Sequence, residues 1–316
     1  MTNYVIGRLL AVVPTLLVLL LFVVVLIRLL PGNAVDIILA EQANASKLDR
    51  QELEARIGLN KPLPQQYIEY ATGVLRGDLG LSIWTRQPVT EIIRTKLPVT
   101  MELGILALTI GTIFGIVVGV VSAATQNSPI DYLLRSFSIL GLSVPNFALA
   151  LAVVVLPTLW WGWSPSVIYT PPSGGLRHHV TQFLAPALIL GFGLSATLMR
   201  LTRTTMLEVL RQDYIRTARS KGLASRLVLF RHALRNALIP VVSLLGVQVA
   251  FVISGSVIME QVYGFPGVGR QLILSLAMRD YPVIQGVTVV SGSFVIFANL
   301  LVDLSYGVLD PRIKVG

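Results

Sequence analysis

Three short stretches concentrate the residues able to do chemistry: the adjacent His178 and His179, the glycine-rich GFPGVG at Gly264–Gly269, and the basic run DYIRTARSKG at Asp213–Gly222. A metal ion needs several ligands converging on one point, and neighbours on a helix point about 100° apart. With no nearby cysteine or carboxylate to complete a set, the histidine pair reads as part of a solvated outer loop and not as a metal site. GFPGVG has the composition of a phosphate-binding loop, yet no Rossmann pattern follows it, so it reads as a turn. No G-x-x-x-x-G-K-[ST] loop occurs, and any ATP hydrolysed by that route belongs to a partner. Cysteine is absent, which excludes disulfides and thiolate chemistry. The N-x-S at Asn44–Ser46 is too short a match to assign anything. No catalytic group, metal or cofactor is therefore assigned to this chain, and the basic run remains to be explained.

The surroundings of that run are apolar. Of 316 residues, 54% are hydrophobic and 13% charged, with a mean hydropathy of +0.74. Six apolar runs approach or exceed the roughly 20 residues that a helix needs to cross a bilayer: Leu9–Ile27, Met101–Ala124, Ile139–Trp160, Ala185–Leu201, Ala237–Met259 and Val283–Val302. The chain is expected to be an all-α, polytopic membrane protein of six transmembrane helices. The first run exceeds the roughly 7 to 15 residues of a secretory signal core and has no small-residue cleavage site, so it is expected to be a retained span. A formal charge of +9 could suggest nucleic acid, but Arg200–Arg235 alone holds nine basic residues against Glu208 and Asp213, a net of +7. The charge is local, and no nucleic-acid partner is expected.

Each central Arg or Lys in a membrane helix costs about 2.5 to 3.5 kcal/mol, so this segment must lie outside the bilayer. With the N-terminus in the cytoplasm, the inner segments collect Arg8, Arg135, the nine basic residues of the loop, Arg312 and Lys314. The outer ones hold Arg28, Arg177, Arg270 and Arg279. Basic residues in short loops favour the cytoplasm, which sets both termini and the basic loop there. The expected organisation is a first span in 1–30, an outer segment in 31–98, a core of five spans in 99–306 with the basic loop at 201–236, and a tail in 307–316. In the outer segment, DRQELEARIG (Asp49–Gly58) has a helix start and stop. Tyr67, Ala71, Val74 and Leu75 share the face of a second helix before Gly77.

Thr204–Lys221 lacks Pro and Gly, and Gly222 suits a left-handed helix end, so a helix, a sharp turn and a second helix to about Asn236 are expected. On the first, Tyr214, Ala218 and Gly222 fall four apart, with Thr217 beside Ala218 and with Arg216 and Arg219 flanking. Such a surface suits a partner protein or anionic lipid headgroups equally well by composition.

DYIRTARSKGLASRLVLFRHALRNALIPV (Asp213–Val241) resembles the cytoplasmic coupling loop of the inner-membrane permeases of dipeptide, oligopeptide and nickel ABC importers. The general importer signature, E-A-A-x-x-x-G followed after nine residues by I-x-L-P, is matched at Ala218, Gly222 and Leu234. The chain departs from it at Arg216, Thr217, His232 and Arg235, and the peptide-type form is the closer likeness. RLLAVVPTLLVLLLFVVVLIRLLPGN, GLNKPLPQQYIEYATGVLRGDLGLSIWTRQPV, EQVYGFPGVGRQLILSLAMRDYPVIQG and the C-terminal DPRI extend the resemblance over most of the chain. It implies a type I ABC importer permease fold with a long outer segment after the first span, in the inner membrane. It also implies a second permease, two ATPase subunits that hold ATP and Mg, and an external binding protein. Asp213, Tyr214, Arg216, Thr217, Ala218, Arg219 and Gly222 would then form the ATPase-coupling surface, with Tyr214 in a pocket and the small residues permitting close approach.

Asn146, Gln248, Ser254, Ser256 and Asn299 are polar positions in or near the spans, read as helix-packing groups or as contacts along a pathway. Glu260, Tyr263, Phe265, Pro266 and Gly267, an aromatic pair beside a Pro-Gly turn, are read as a surface toward the binding protein or outer gate, or as a connector. A secondary transporter working alone should show ion-binding charges at mid-membrane or inverted repeats, and neither is evident; an anchoring subunit without a pathway is the other alternative. The orientation is checked by single cysteines in the cysteine-free chain: Ser225→Cys should be labelled only from the cytoplasm, and Ser82→Cys and Ser173→Cys only from outside. The reverse pattern overturns it.

Overall fold

A computed structural model describes residues 2–29 and 60–309, with the side chains of 5–29 and 60–305. Ten helices account for most of these residues: α1 (Thr2–Leu29), α2 (Leu63–Leu75), α3 (Val89–Ala124), α4 (Pro129–Ser143), α5 (Asn146–Trp161), α6 (Leu176–Leu210), α7 (Asp213–Ser220), α8 (Ser225–Val262), α9 (Val268–Met278) and α10 (Tyr281–Leu309). An isolated bridge between Leu81 and Pro88 is the sole β-type pairing among the described residues. The helix expected in DRQELEARIG lies outside them.

Five helices are long and apolar enough to cross a bilayer, and a sixth span is obtained if α4 and α5 count as one. The uninterrupted run expected over Ile139–Trp160 is in fact this pair, bent by 95°. Pro145 causes the break. It lacks an N–H and pushes the residue before it out of the helical region, and Val144 accordingly has φ −92°, ψ 120°. A second difference concerns Thr204–Lys221, expected as one helix. α6 runs to Leu210, Gln212 is extended (φ −70°, ψ 149°), and α7 starts afresh at Asp213. No Pro or Gly marks that break; the redirected helix buries Ile215 and Ala218.

The described residues pack as two compact units, one of Met101–Phe265 with 301–309, the other of 2–29 and 60–100 with Pro266–Leu300. In the second unit, Tyr67, Ala71 and Val74 of α2 pack with Leu20, Val23 and Val289, while Leu75, expected on the same face, is exposed. Asp280 accepts hydrogen bonds from the Ser82 hydroxyl and from the Ile83 N–H, and Trp84 Nε1 donates to the Met278 carbonyl. Ser82 is therefore buried, so Ser173, which is exposed, is the better outer labelling site.

The first unit is organised by close approach of α3 to α6. A Cβ added at Gly111, Gly115 or Gly119 would lie 2.8, 2.7 and 2.6 Å from the Cβ atoms of Leu194, Leu198 and Thr202 respectively. Spaced four apart, the three glycines form one stripe on α3 along which the backbones meet, the packing by small residues that membrane helices favour. Beyond the stripe stands an ion pair. Asp131, in the first turn of α4, has no solvent exposure. It accepts from Arg203 Nε at 2.8 Å and Nη2 at 2.7 Å, from the Ser122 hydroxyl, and from the Asn127 N–H at 3.0 Å. One carboxylate thus joins the end of α3, the start of α4 and α6. Ser128 caps α4 by accepting from the Asp131 N–H.

Two outcomes follow for the purified protein. Gly115→Leu must push two backbones apart and should cost on the order of 3 kcal/mol or more, read as loss of the monodisperse peak in size-exclusion chromatography. Asp131→Asn strands Arg203 and should cost about 3 kcal/mol in thermal unfolding, whereas Asp131→Leu combined with Arg203→Met should recover most of that loss. An unchanged melting temperature in Asp131→Asn would contradict the assignment.

Candidate functional site

The basic loop is built outward from a small core. Ile215 and Ala218 pack with Val120, Ala123, Met206, Val228, Ala233 and Ala237, which come from α3, α6 and α8. The Thr205 hydroxyl also bonds the Ala237 carbonyl at 3.1 Å. At the C-terminus of α7 the Gly222 N–H donates to the Arg219 carbonyl and the Leu223 N–H to the Ala218 carbonyl, with Gly222 at φ +77°. This is a Schellman cap, and a side chain at Gly222 would strain it. α8 then opens with a π-helical turn at Val228–Ala233 and continues as a regular helix from Leu234.

Apart from Ile215 and Ala218, every residue of α7 is exposed. Tyr214 is 43% exposed, and its hydroxyl accepts from Asn236 Nδ2 at 2.8 Å, so the ring is held from behind with part of its surface free. Asp213 and Arg216 approach to 3.8 Å at full exposure and contribute little to stability. Thr217, Arg219 and Gly222 are exposed as well. The reading of Ala218 as part of a presented face is corrected here. Its methyl is 8% exposed and serves the chain's own core, so the small residue permits close approach to α6 and α8, not to a partner.

The polar span residues do not form one cluster. Gln248 and Ser256 are buried, and the Ser256 hydroxyl is used by the Ile253 carbonyl. Gln248 Nε2 is buried with no hydrogen-bond partner among the described residues. Ser254 and Asn299 are exposed, Asn299 bonding the Val295 carbonyl. Asn146, half-buried at the start of α5, lies against Gly193, where an added Cβ would come within 3.0 Å of its Oδ1.

The aromatic pair after α8 is also corrected. Tyr263 and Phe265 are both fully buried; the Phe265 ring lies 4.7 Å from Phe183 and 6.1 Å from Tyr169. Neither ring is a surface anchor, because burial of both within the first unit leaves nothing to present. Glu260 is buried too, and its carbonyl accepts from the Phe265 N–H. Pro266 is half-buried and Gly267 buried. Burial pushes the Tyr263 phenol up to about 12 and that of Tyr169 upward as well, with the charge of Glu102 adding to the latter.

The histidine pair is not a solvated loop either. Both residues lie in the first turns of α6, and His178 is exposed while His179 is 3% exposed. His179 Nδ1 donates to the Thr170 carbonyl (2.8 Å), and Nε2 stands 2.9 Å from the Glu102 carboxylate. The Gln182 side chain pairs with both the N–H and the carbonyl of Thr170. Asp131, Gln182 and Arg203, and the pairing of His179 with Glu102, are thus the polar features that matter structurally and that sequence reading did not assign. Their most distant partners lie 12 to 77 positions away, and only the apolar setting of each hinted that it must be paired.

Comparison with known proteins agrees with this geometry. Residues 111–315 match the family described as "Binding-protein-dependent transport system inner membrane component", and residues 1–104 match the N-terminal model for such membrane components. Over 316 residues the chain is 39% identical to the glutathione transport system permease protein GsiC of Pectobacterium atrosepticum, with 99% of each chain covered. It is 36% identical over 337 aligned positions to the dipeptide transport system permease protein DppB of Escherichia coli K12, again covering 99% of each. Among solved structures, an inward-facing MetNI methionine ABC transporter aligns with a TM-score of 0.57 at 16% identity, covering 69% of this chain and 96% of the other. An amino acid ABC transporter aligns with a TM-score of 0.52 at 18% identity, covering 71% and 95%. The helical architecture is therefore that of type I importer permeases, and the chain belongs to the inner-membrane permease components of binding-protein-dependent ABC importers, within their peptide-transport branch.

Proposed function

We propose that this permease passes small peptides or peptide-like solutes such as glutathione into the cytoplasm, as one of two permease subunits served by two ATPases and an external binding protein. The relatives named for dipeptide and glutathione transport support the substrate class. In this reading the chain itself hydrolyses nothing and holds no cofactor; ATP and Mg belong to the ATPases. In this reading both termini and the basic loop lie in the cytoplasm, which the distribution of basic residues supports.

The observation that carries the coupling role is the construction of α7. Ile215 and Ala218 lock the helix to α6 and α8, while Asp213, Tyr214, Arg216 and Thr217 remain exposed on a Schellman-capped element. A helix fixed on one side and open on the other transmits displacement as a rigid body. An ATPase moving the exposed side would move α6 and α8, whose span segments it shares a core with. Arg216 orients the dock and the free part of Tyr214 supplies an aromatic anchor. Along the pathway, Gln248 is the best-supported contact: its buried amide has no partner among the described residues and is available to a peptide group or to the second permease. The alternative of an ion-coupled transporter is disfavoured because Asp131 is engaged by Arg203 and Glu102 by His179.

Proteoliposomes holding the assembled complex should take up a labelled di- or tripeptide only when ATP and the binding protein are both supplied, with unlabelled peptide or glutathione competing. Uptake without ATP would favour secondary transport, and ATP turnover without uptake an anchoring role. Thr217→Trp, on the exposed side of α7, should abolish co-purification of the ATPases while the permease keeps its elution volume. Normal co-purification and uptake would remove α7 from the coupling role.

A further inference from the structure

Behind α7 lies a cavity of about 560 Å³. Leu207, Leu210 and Phe230 make part of its lining apolar, and its rim carries Arg211, Arg219 and Arg226. No carboxylate lines it, and none of the three guanidinium groups has a hydrogen bond or ion pair among the described residues. Arginines lining one cavity repel one another, and an anion held between them offsets that repulsion. We infer that this cavity binds the headgroup of an anionic phospholipid of the cytoplasmic leaflet, its phosphate on Arg211, Arg219 and Arg226 and its acyl chains leaving along Phe230.

Depth favours a lipid over a soluble anion or an acidic patch of the ATPase. The apolar run of α3 ends at Ala124, which lines the cavity together with Gln126. On α6, Leu207 and Arg211 stand four and eight residues past Arg203, or about 6 and 12 Å further along the axis. Arg203 meets Ser122 through their shared Asp131, so the cavity begins where the α3 span ends. The headgroup layer is about 5 to 8 Å thick on each side of the hydrocarbon, an interval that includes Leu207, with Arg211 beyond its outer margin. Next to the rim, Leu227 and Phe230 are 40% and 53% exposed between Arg226 and Arg231, the alternation of apolar and cationic side chains that suits the membrane interface. The exposed side of α7 proposed to meet the ATPase is separate from this opening except at Arg219, so the two readings can fail independently.

The test uses the assembled complex in nanodiscs containing equal parts of phosphatidylcholine and phosphatidylglycerol, with retained lipids counted by native mass spectrometry. Wild type should retain phosphatidylglycerol in preference to phosphatidylcholine. Arg211→Gln, Arg219→Gln and Arg226→Gln combined should reduce that retention by about fivefold or more, and Arg135→Gln, elsewhere on the basic side, should not. Equal retention of both lipids by wild type overturns the inference, as does unchanged phosphatidylglycerol on the triple variant. Loss of the ATPases from the triple variant with its lipid intact would reassign the cavity to subunit docking, and displacement of the lipid by millimolar inorganic phosphate would reassign it to a free anion. Should the triple variant fail to assemble, wild-type lipid preference and Arg226→Gln alone, which leaves α7 untouched, decide the matter: the single variant should lower phosphatidylglycerol retention, and no change would overturn the site.

Discussion

Asp131 is a carboxylate without solvent contact in a protein whose surroundings are largely hydrocarbon, and the end of the first unit that carries the basic loop depends on its being satisfied. An isolated charge there would be expelled or neutralised. The fork of Arg203, the Ser122 hydroxyl and the Asn127 N–H instead occupy its oxygens. Buried ion pairs add little net stability compared with apolar packing, but they fix geometry, since each partner is costly to leave alone. Here the geometry is a junction: α4 cannot rotate about its axis without leaving Arg203, and α6 cannot slide without leaving Asp131.

This junction and the glycine stripe act on different parts of the same pair of helices. Gly111, Gly115 and Gly119 bring α3 and α6 to backbone contact, a dispersion-driven fit that allows little relative motion. Past the stripe, α6 continues into Met206 and then into the core that holds Ile215 and Ala218. The route from the exposed side of α7 to the spans is therefore made of rigid pieces in series, without a flexible linker. The turns at Arg211–Gln212 and Lys221–Ala224 and the π turn at Val228–Ala233 interrupt regular helix, and they are where α7 could tilt against its supports.

Most of the architecture was legible because a bilayer demands long apolar helices and a basic loop must leave it. The helix end at Gly222 was legible for a local reason, the left-handed residue that a Schellman cap requires. What escaped was orientation. Ala218 read as a place for close approach, which it is, but composition does not say whether the approaching surface is foreign; Ile215, three residues earlier, was the sign that this face turns inward. Tyr263 and Phe265 posed the same ambiguity, since an aromatic pair beside a turn is equally a partner's anchor or a core. The Val144–Pro145 break was visible as a dipeptide, yet the hydrophobic run over Ile139–Trp160 masked it. Asp131 with Arg203, and Glu102 with His179, are pairings over 72 and 77 residues that no local pattern announces.

The bend between α4 and α5 limits what can surround it. At 1.5 Å per residue the two arms are about 22 and 24 Å long, and neither alone crosses a core of about 30 Å. Where a helix breaks, backbone groups lose their partners four residues away, and hydrocarbon has nothing to offer them. Val144 N–H still reaches the Leu140 carbonyl and Ala148 N–H the Pro145 carbonyl, but the exposed Leu142, Ser143 and Pro145 leave the elbow uncovered within this chain. Any backbone group freed at the elbow therefore needs a partner other than hydrocarbon, and Asn146 stands at its edge.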